Sequence, residues 1–208
     1  MKRTRTLRFA SLALFAAGLY VAFVLAPANA AQGETYRIAF VHVPAAWLSL
    51  VLFAAIALCA AVDLIADQRI AAIALQALAP TAALFAFLAL WTGAVWGKPT
   101  WGTWWTWDAR LTTQLVLLLL CLAVIGLNAA IADVRRGDRA CAVLALGGAA
   151  SLPLIYSSLQ WASSHPSAPL TLIMLAGMAL MAAAFTLHSL AMALARMRCV
   201  LLEREAAP

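Results

Sequence analysis

Six long apolar runs, at 9–26, 44–66, 71–95, 111–132, 140–159 and 169–195, constrain this chain more than any other feature. Each comes close to the ~20 residues a helix needs to cross a bilayer core at ~1.5 Å of rise per residue. The breaks between runs are short and polar, residues 133–139 most clearly. With 66% of its residues hydrophobic and 11% charged, the chain has too few polar groups to cover a separate soluble domain. The expectation is an all-α integral membrane protein: one domain, residues 1–208, with six transmembrane helices. No Gly-rich phosphate loop is present, so an ATP-driven step has to come from a partner. The four cysteines stand singly in or beside apolar runs, without metal or redox spacing, and read as small packing residues.

Charge sets the direction of the spans. Lys and Arg outnumber Asp and Glu by 14 to 8. In a membrane protein such an excess reports topology, not nucleic-acid binding. With the N-terminus in the cytoplasm, inner positions hold Lys2, Arg3, Arg5, Arg8, Arg69, Arg135, Arg136, Arg139, Arg196, Arg198 and Arg204. Outer positions then hold only Arg37, Lys98 and Arg110. Both termini are therefore expected on the cytoplasmic side. Residues 1–30 also have the shape of a secretory signal, ending in Ala28-Asn29-Ala30, but their apolar stretch is long for one. Retention as a first span is the expectation.

That orientation puts residues 96–110, Trp-Gly-Lys-Pro-Thr-Trp-Gly-Thr-Trp-Trp-Thr-Trp-Asp-Ala-Arg, on the outer face. An interfacial belt of tryptophans populates both sides of a membrane. Here all eight, Trp47, Trp91, Trp96, Trp101, Trp104, Trp105, Trp107 and Trp161, fall on one side. If the chain coils after Pro99, then Trp101, Trp104, Trp105 and Asp108 share one helical face, a short Trp-rich helix along the surface. Such a platform suits a flat ligand or a self-packed cap.

Two of the three histidines, His42 and His165, fall in outer loops flanking that segment. A single loop histidine is ordinarily solvated or caps a helix. Two beside an aromatic platform match the needs of haem: neutral imidazoles for the iron, aromatic walls for the ring, and cations for the propionates. Lys98 and Arg110 bracket the platform and are the candidate propionate partners. His188 lies within the last apolar run and is expected to bond to a neighbouring helix. Asp63, near the inner end of the second, is expected at the interface.

The string Trp101-Gly-Thr-Trp-Trp-Thr-Trp-Asp-Ala-Arg-Leu-Thr112 resembles the WWD signature of the haem-handling proteins of cytochrome c maturation. His42-Val-Pro-Ala-Ala-Trp47 is similar to the segment carrying that family's first outer histidine. Six spans in 208 residues fit the CcmC branch, not the longer CcmF and CcsA branches. The resemblance implies a non-covalent b-type haem held outside the cytoplasmic membrane by His42 and His165, with Trp96, Trp101, Trp104, Trp105, Trp107 and Asp108 against it. It also implies loading onto a periplasmic haem chaperone of the CcmE kind, which bonds to haem covalently, and work alongside a CcmA–CcmB complex and a small CcmD-like membrane protein. Around the second histidine the chain departs from the family: Gln160 and Ala162 stand where members commonly carry Trp and Asn.

Such a protein acts by positioning, since the outer loops hold no evident acid–base pair. The alternative is a haem exporter or permease subunit, for which His188 is the sole candidate lining residue. A b-type electron carrier would need facing histidines inside the spans. A structural subunit would use the tryptophans to pack on a partner.

Overall fold

The computed structural model describes residues 2–29, 32–162 and 171–206. Helix α1, Lys2–Tyr20, continues through a π-helical turn, Val21–Leu25, and ends before Pro27. A 3-10 turn at Glu34–Ile38 leads into α2, Ala39–Ala66. Then follow α3, Arg69–Trp101; α4, Ala109–Ala130; α5, Val134–Ala149; α6, Leu152–Ala162; and α7, Leu172–Ala206. Six segments are long and apolar enough to cross a membrane, Thr4–Leu25, Glu34–Ala66, Arg69–Trp101, Ala109–Ala130, Val134–Ser157 and Leu172–Ala206.

Helices α2 and α3 form the centre. Helix α2 packs on α3, α5 and α7; α3 packs on α2, α4 and α7; and α1 lies along α7. In lipid, apolar side chains gain little by meeting one another, so close backbone approach has to hold helices together. Small residues supply it: Ala45, Ala60, Ala79, Ala82, Ala86 and Ala89 are all fully buried. Phe53, Ile56, Leu117, Cys121, Val124 and Ile155 fill the space between α2, α4, α5 and α6. Two cysteines of the four, Cys121 and Cys141, are buried, and none is paired. Gly177 of α7 lies directly against the ring of Phe40, where any added carbon would collide.

Three boundaries differ from the apolar runs. Helix α2 starts at Ala39, five residues before the run at 44, so His42 lies within the first turn and a half of a helix and not in a loop. Pro44 lies inside the helix, which continues past it although its nitrogen has no proton to give to the preceding turn. Helix α3 continues through Pro99 to Trp101. The fifth span is two helices, broken at Ala150 and Ser151. There the Ala150 N–H donates to Gly147 O and the Ser151 hydroxyl to Gly148 O at 2.6 Å, satisfying carbonyls that the interrupted helix leaves over. Gly148 is needed just before the break, since a Cβ would stand 2.9 Å from Leu120 and 3.0 Å from Phe53.

The end of the bundle opposite the tryptophans is tied by ions. Asp63, three residues from the end of α2, is fully buried within the bundle; Arg135 reaches it from α5 at 2.6 Å. Arg135 also pairs with Asp67, whose carboxyl the guanidinium's hydrogen bond and charge hold below its ordinary range. Arg204 of α7 grips Asp138 of α5 through both nitrogens, at 2.7 and 3.0 Å. Arg196 donates to Thr81 at 2.6 Å. Burying a carboxylate in an apolar bundle requires such a partner.

Candidate functional site

At the other end α3 supplies the socket for His42. The imidazole Nδ1 lies 3.0 Å from Thr92 Oγ1. Gly93, the next residue, brings the α3 backbone so close that an added Cβ would stand 3.1 Å from His42 Cε1 and 3.8 Å from Leu111 of α4. One turn further along, Trp96 meets the imidazole edge-on, with ring centroids 5.7 Å apart at 76°. His42 and Trp96, expected to serve one site, are thus in contact. Thr92, Gly93 and Leu111 were not singled out in the sequence; the Thr-Gly pair interrupting an apolar run between Trp91 and Trp96 was the available signal.

Beyond Trp96 the chain does not form the expected surface helix. Helix α3 stops at Trp101 because Gly102 takes a left-handed conformation, φ +79, and its N–H closes on Lys98 O at 3.0 Å. Residues 102–108 are then irregular, so Trp101, Trp104, Trp105 and Asp108 do not share a helical face. Thr103 turns the chain, its hydroxyl donating to Trp105 O at 2.9 Å. Asp108 caps α4, with Oδ1 accepting from the backbone N–H of Arg110 and Leu111 at 2.9 and 3.0 Å. Its Oδ2 accepts from Thr106 Oγ1 and Arg110 Nη2 at 2.9 and 3.0 Å. Partial burial pushes the Asp108 carboxyl up, but the bonds from Leu111, Thr106 and Arg110 outweigh it and hold the group below the usual carboxylate range.

The rings divide into two sets. Trp101, Trp104 and Trp107 are 52%, 57% and 78% exposed, an aromatic surface without a partner among the described residues large enough to cover it. Trp96 and Trp105 are half-buried, and the buried indole N–H of each has no acceptor among the described residues. Trp105 and Trp107 meet edge-on at 5.3 Å.

Both candidate propionate partners are engaged within the chain. Lys98 Nζ donates to Gly102 O at 3.0 Å, completing the end of α3. Arg110 pairs with Asp108 and covers Trp101 at 5.2 Å. Arg37 is held by Glu34 and by the carbonyls of Ala22 and Ala26. A cavity of about 570 Å³ opens beside the socket, lined by Phe23, Val41, Trp91, Thr92 and Val95 among others.

His165 lies outside the described residues. Helix α6, which precedes it, reaches the Trp end of the bundle: Tyr156 meets Trp47 of α2 edge-on at 6.2 Å. His188 is half-buried in α7 and makes no hydrogen bond to a described residue, contrary to the interhelical bond expected of it.

Comparison with known proteins identifies close relatives. A family model described as Heme exporter protein C, CcmC, matches residues 2–208. Heme exporter protein C of Escherichia coli strain K12 is 46% identical over 155 residues, 74% of this chain and 63% of that relative. The match thus spans a little under two thirds of the E. coli protein's length. The protein of the same name from Bradyrhizobium diazoefficiens is 41% identical over 205 residues, 94% of this chain and 77% of the relative. That of Haemophilus influenzae is 41% identical over 164 residues, 78% and 67% respectively.

Proposed function

The chain belongs to the CcmC family, and from that membership we propose that it binds haem at the outer face of the bacterial cytoplasmic membrane and presents it for covalent loading onto a CcmE-like periplasmic chaperone. Its place is in cytochrome c biogenesis, with a CcmA–CcmB complex and a CcmD-like small protein as partners. The orientation rests on the cation asymmetry, which puts both termini in the cytoplasm and the tryptophans outside.

One observation carries the reading. His42 of α2 is seated against α3, edge-on to Trp96, and α3 runs on to the exposed Trp101. The candidate iron ligand and the start of the aromatic surface are thus tied to one helix, the first by packing and the second by the chain itself. The donor set suits haem further. A buried N–H left without an acceptor costs ~1–3 kcal/mol, and among the described residues Trp96 and Trp105 each hold one. A ligand bearing carboxylates supplies acceptors.

In this reading His42 binds iron from one side and His165 from the other. Trp101, Trp104 and Trp107 cover one face or edge of the macrocycle, and Asp108 holds their segment in shape. The chain contributes orientation and exclusion of water, with no acid–base step. Haem is cargo here.

The test is an absorption spectrum of the purified protein after co-expression with its partners, beside His42→Ala and His165→Ala. A low-spin bis-histidine spectrum in the wild type, lost or turned high-spin in each variant, is expected. A wild-type protein that carries no haem overturns the reading.

A further inference from the structure

We propose that Thr92 is a positioning residue for His42: its hydroxyl accepts the Nδ1 proton and so leaves the Nε2 lone pair free, turned away from α3, as the iron ligand. The inference rests on the haem-binding reading above and specifies which imidazole atom that site uses.

The argument is a count of protons. A threonine hydroxyl has one proton to give and two lone pairs to receive. Thr92 Oγ1 lies 2.6 Å from Leu88 O and 3.3 Å from Ala89 O, both carbonyls, which only accept. The shorter of these bonds takes the hydroxyl proton. The contact of 3.0 Å with His42 Nδ1 then requires the proton to come from the imidazole. A neutral imidazole carries one N–H, so Nε2 is left bare.

The packing agrees with the count. An added Cβ on Gly93 would stand 3.1 Å from Cε1 and 3.6 Å from Nδ1, which places that edge of the ring against α3. Nε2 and Cδ2 form the opposite edge. The ring's hydrogen-bonding neighbours among the described residues, Thr92 Oγ1 and the Ala89 backbone, both belong to α3. Trp96, edge-on to the imidazole, and the closeness of Gly93 together oppose rotation about the Cβ–Cγ bond. Imidazole ligands to metals are commonly held through the other ring N–H, which fixes the tautomer and raises ligand basicity. Here the holding group is a hydroxyl that is itself pinned to its own helix.

The test separates this inference from the function it rests on. The chain has three histidines, so His165→Ala with His188→Gln leaves His42 as the only imidazole. The ring nitrogens of that full-length variant, labelled with nitrogen-15 and purified through a histidine-free tag, report the tautomer without haem. Protonated Nδ1 and bare Nε2 are expected; Thr92→Val then admits the second tautomer, and Thr92→Ser restores the first. In the otherwise wild-type chain, Thr92→Val is expected to retain a bis-histidine spectrum but to hold haem about 10–100-fold more weakly. Its haem reduction potential should rise, because the imidazole is less basic, and Thr92→Ser should return both properties. A protonated Nε2 in the parent overturns the inference. So does a Thr92→Val protein whose nitrogen shifts and potential equal the wild type's. A wild type that binds no haem defeats the functional reading, while the nitrogen shifts still decide the tautomer.

Discussion

The guanidinium of Arg110 lies 5.2 Å from the centroid of the Trp101 ring. Asp108 holds it there, taking one hydrogen bond from the guanidinium and two from the backbone at the start of α4. The end of α3 and the start of α4 are thereby fastened across the irregular stretch between them. Removing Asp108 should loosen the tryptophans as well as the helix.

Asp108→Ala removes the cap and is expected to lower stability by ~1 kcal/mol, the usual cost of losing such a residue. Asp108→Asn keeps an acceptor for the backbone and should lose less. Thermal unfolding in detergent, followed by circular dichroism and tryptophan emission, reads both effects. An Asp108→Ala protein with wild-type emission and melting would show that the cap does not organise the segment.

Acid should act through the same carboxyl. Its folded value lies below the ordinary one, so its stabilisation is complete above the ordinary carboxylate value of ~3.9 and is lost as pH falls through the lower folded value. Tryptophan emission is expected to stay constant from neutral pH to about 4 and to change below that. Asp108→Asn should abolish the acid transition; its persistence in that variant would assign it to another group.

Gly93→Ala puts a methyl group where 3.1 Å separates the backbone from His42 Cε1. The ring has to shift by a few tenths of an ångström, and α3 itself gains from alanine's helix propensity by up to ~1 kcal/mol. The expected outcome is a protein as stable as wild type with haem held about 10-fold more weakly, in line with the cost of disturbing the outer support of a metal ligand. Unchanged haem retention in a folded Gly93→Ala protein would mean that the socket tolerates slack.

At the opposite end, Arg135→Ala strands the buried carboxylate of Asp63 and should cost about 3 kcal/mol. Replacing both partners, with Asp63→Leu and Arg135→Met, should recover most of that loss, because no charge is then left to bury. Urea or thermal unfolding of the single and double variants decides between them. Equal destabilisation in both would argue that shape, not charge, is what the pair provides.

Lys98→Ala is a contrasting case. The side chain is exposed and, among the described residues, bonds to Gly102 O alone, so the change should stay within about 0.5 kcal/mol and move haem retention little. A large loss of haem, measured by the same titration, would return Lys98 to the role of a direct carboxylate partner.

The six spans were legible because length and hydropathy follow directly from bilayer thickness, and lipid tolerates no other exposed backbone. Their exact ends were less so. Pro44 and His42 mark the apparent start of the second run, but the helix begins at Ala39, in the apolar stretch 38–41 that His42 and Pro44 do not interrupt. The Trp segment was misread as a helix because its spacing fits 3.6 residues per turn. Gly102 and Asp108 override that spacing, one by terminating α3 and the other by capping α4. The partner of Asp63 was not legible: Arg135 lies 72 residues away and meets it only when α5 packs on α2. His42 could be picked out by type and position. Its socket could not, because Thr92 and Gly93 become meaningful only when two helices are brought side by side.

Because α3 carries both the socket and Trp101, their relation is one of phase. Each residue of an α-helix adds ~100° of turn and ~1.5 Å of rise. Thr92 and Trp96 are four residues apart and fall on one side of the helix, whereas Trp101, nine beyond Thr92, falls on the far side. A single residue inserted between Trp96 and Trp101 would leave the length almost unaltered but swing the tryptophan surface by about 100° relative to His42. Seven inserted residues, close to two full turns, would restore the angle at a greater distance. The spacing of these residues thus works as a key cut to an angle, and register along α3 is as much a part of the site as the side chains themselves.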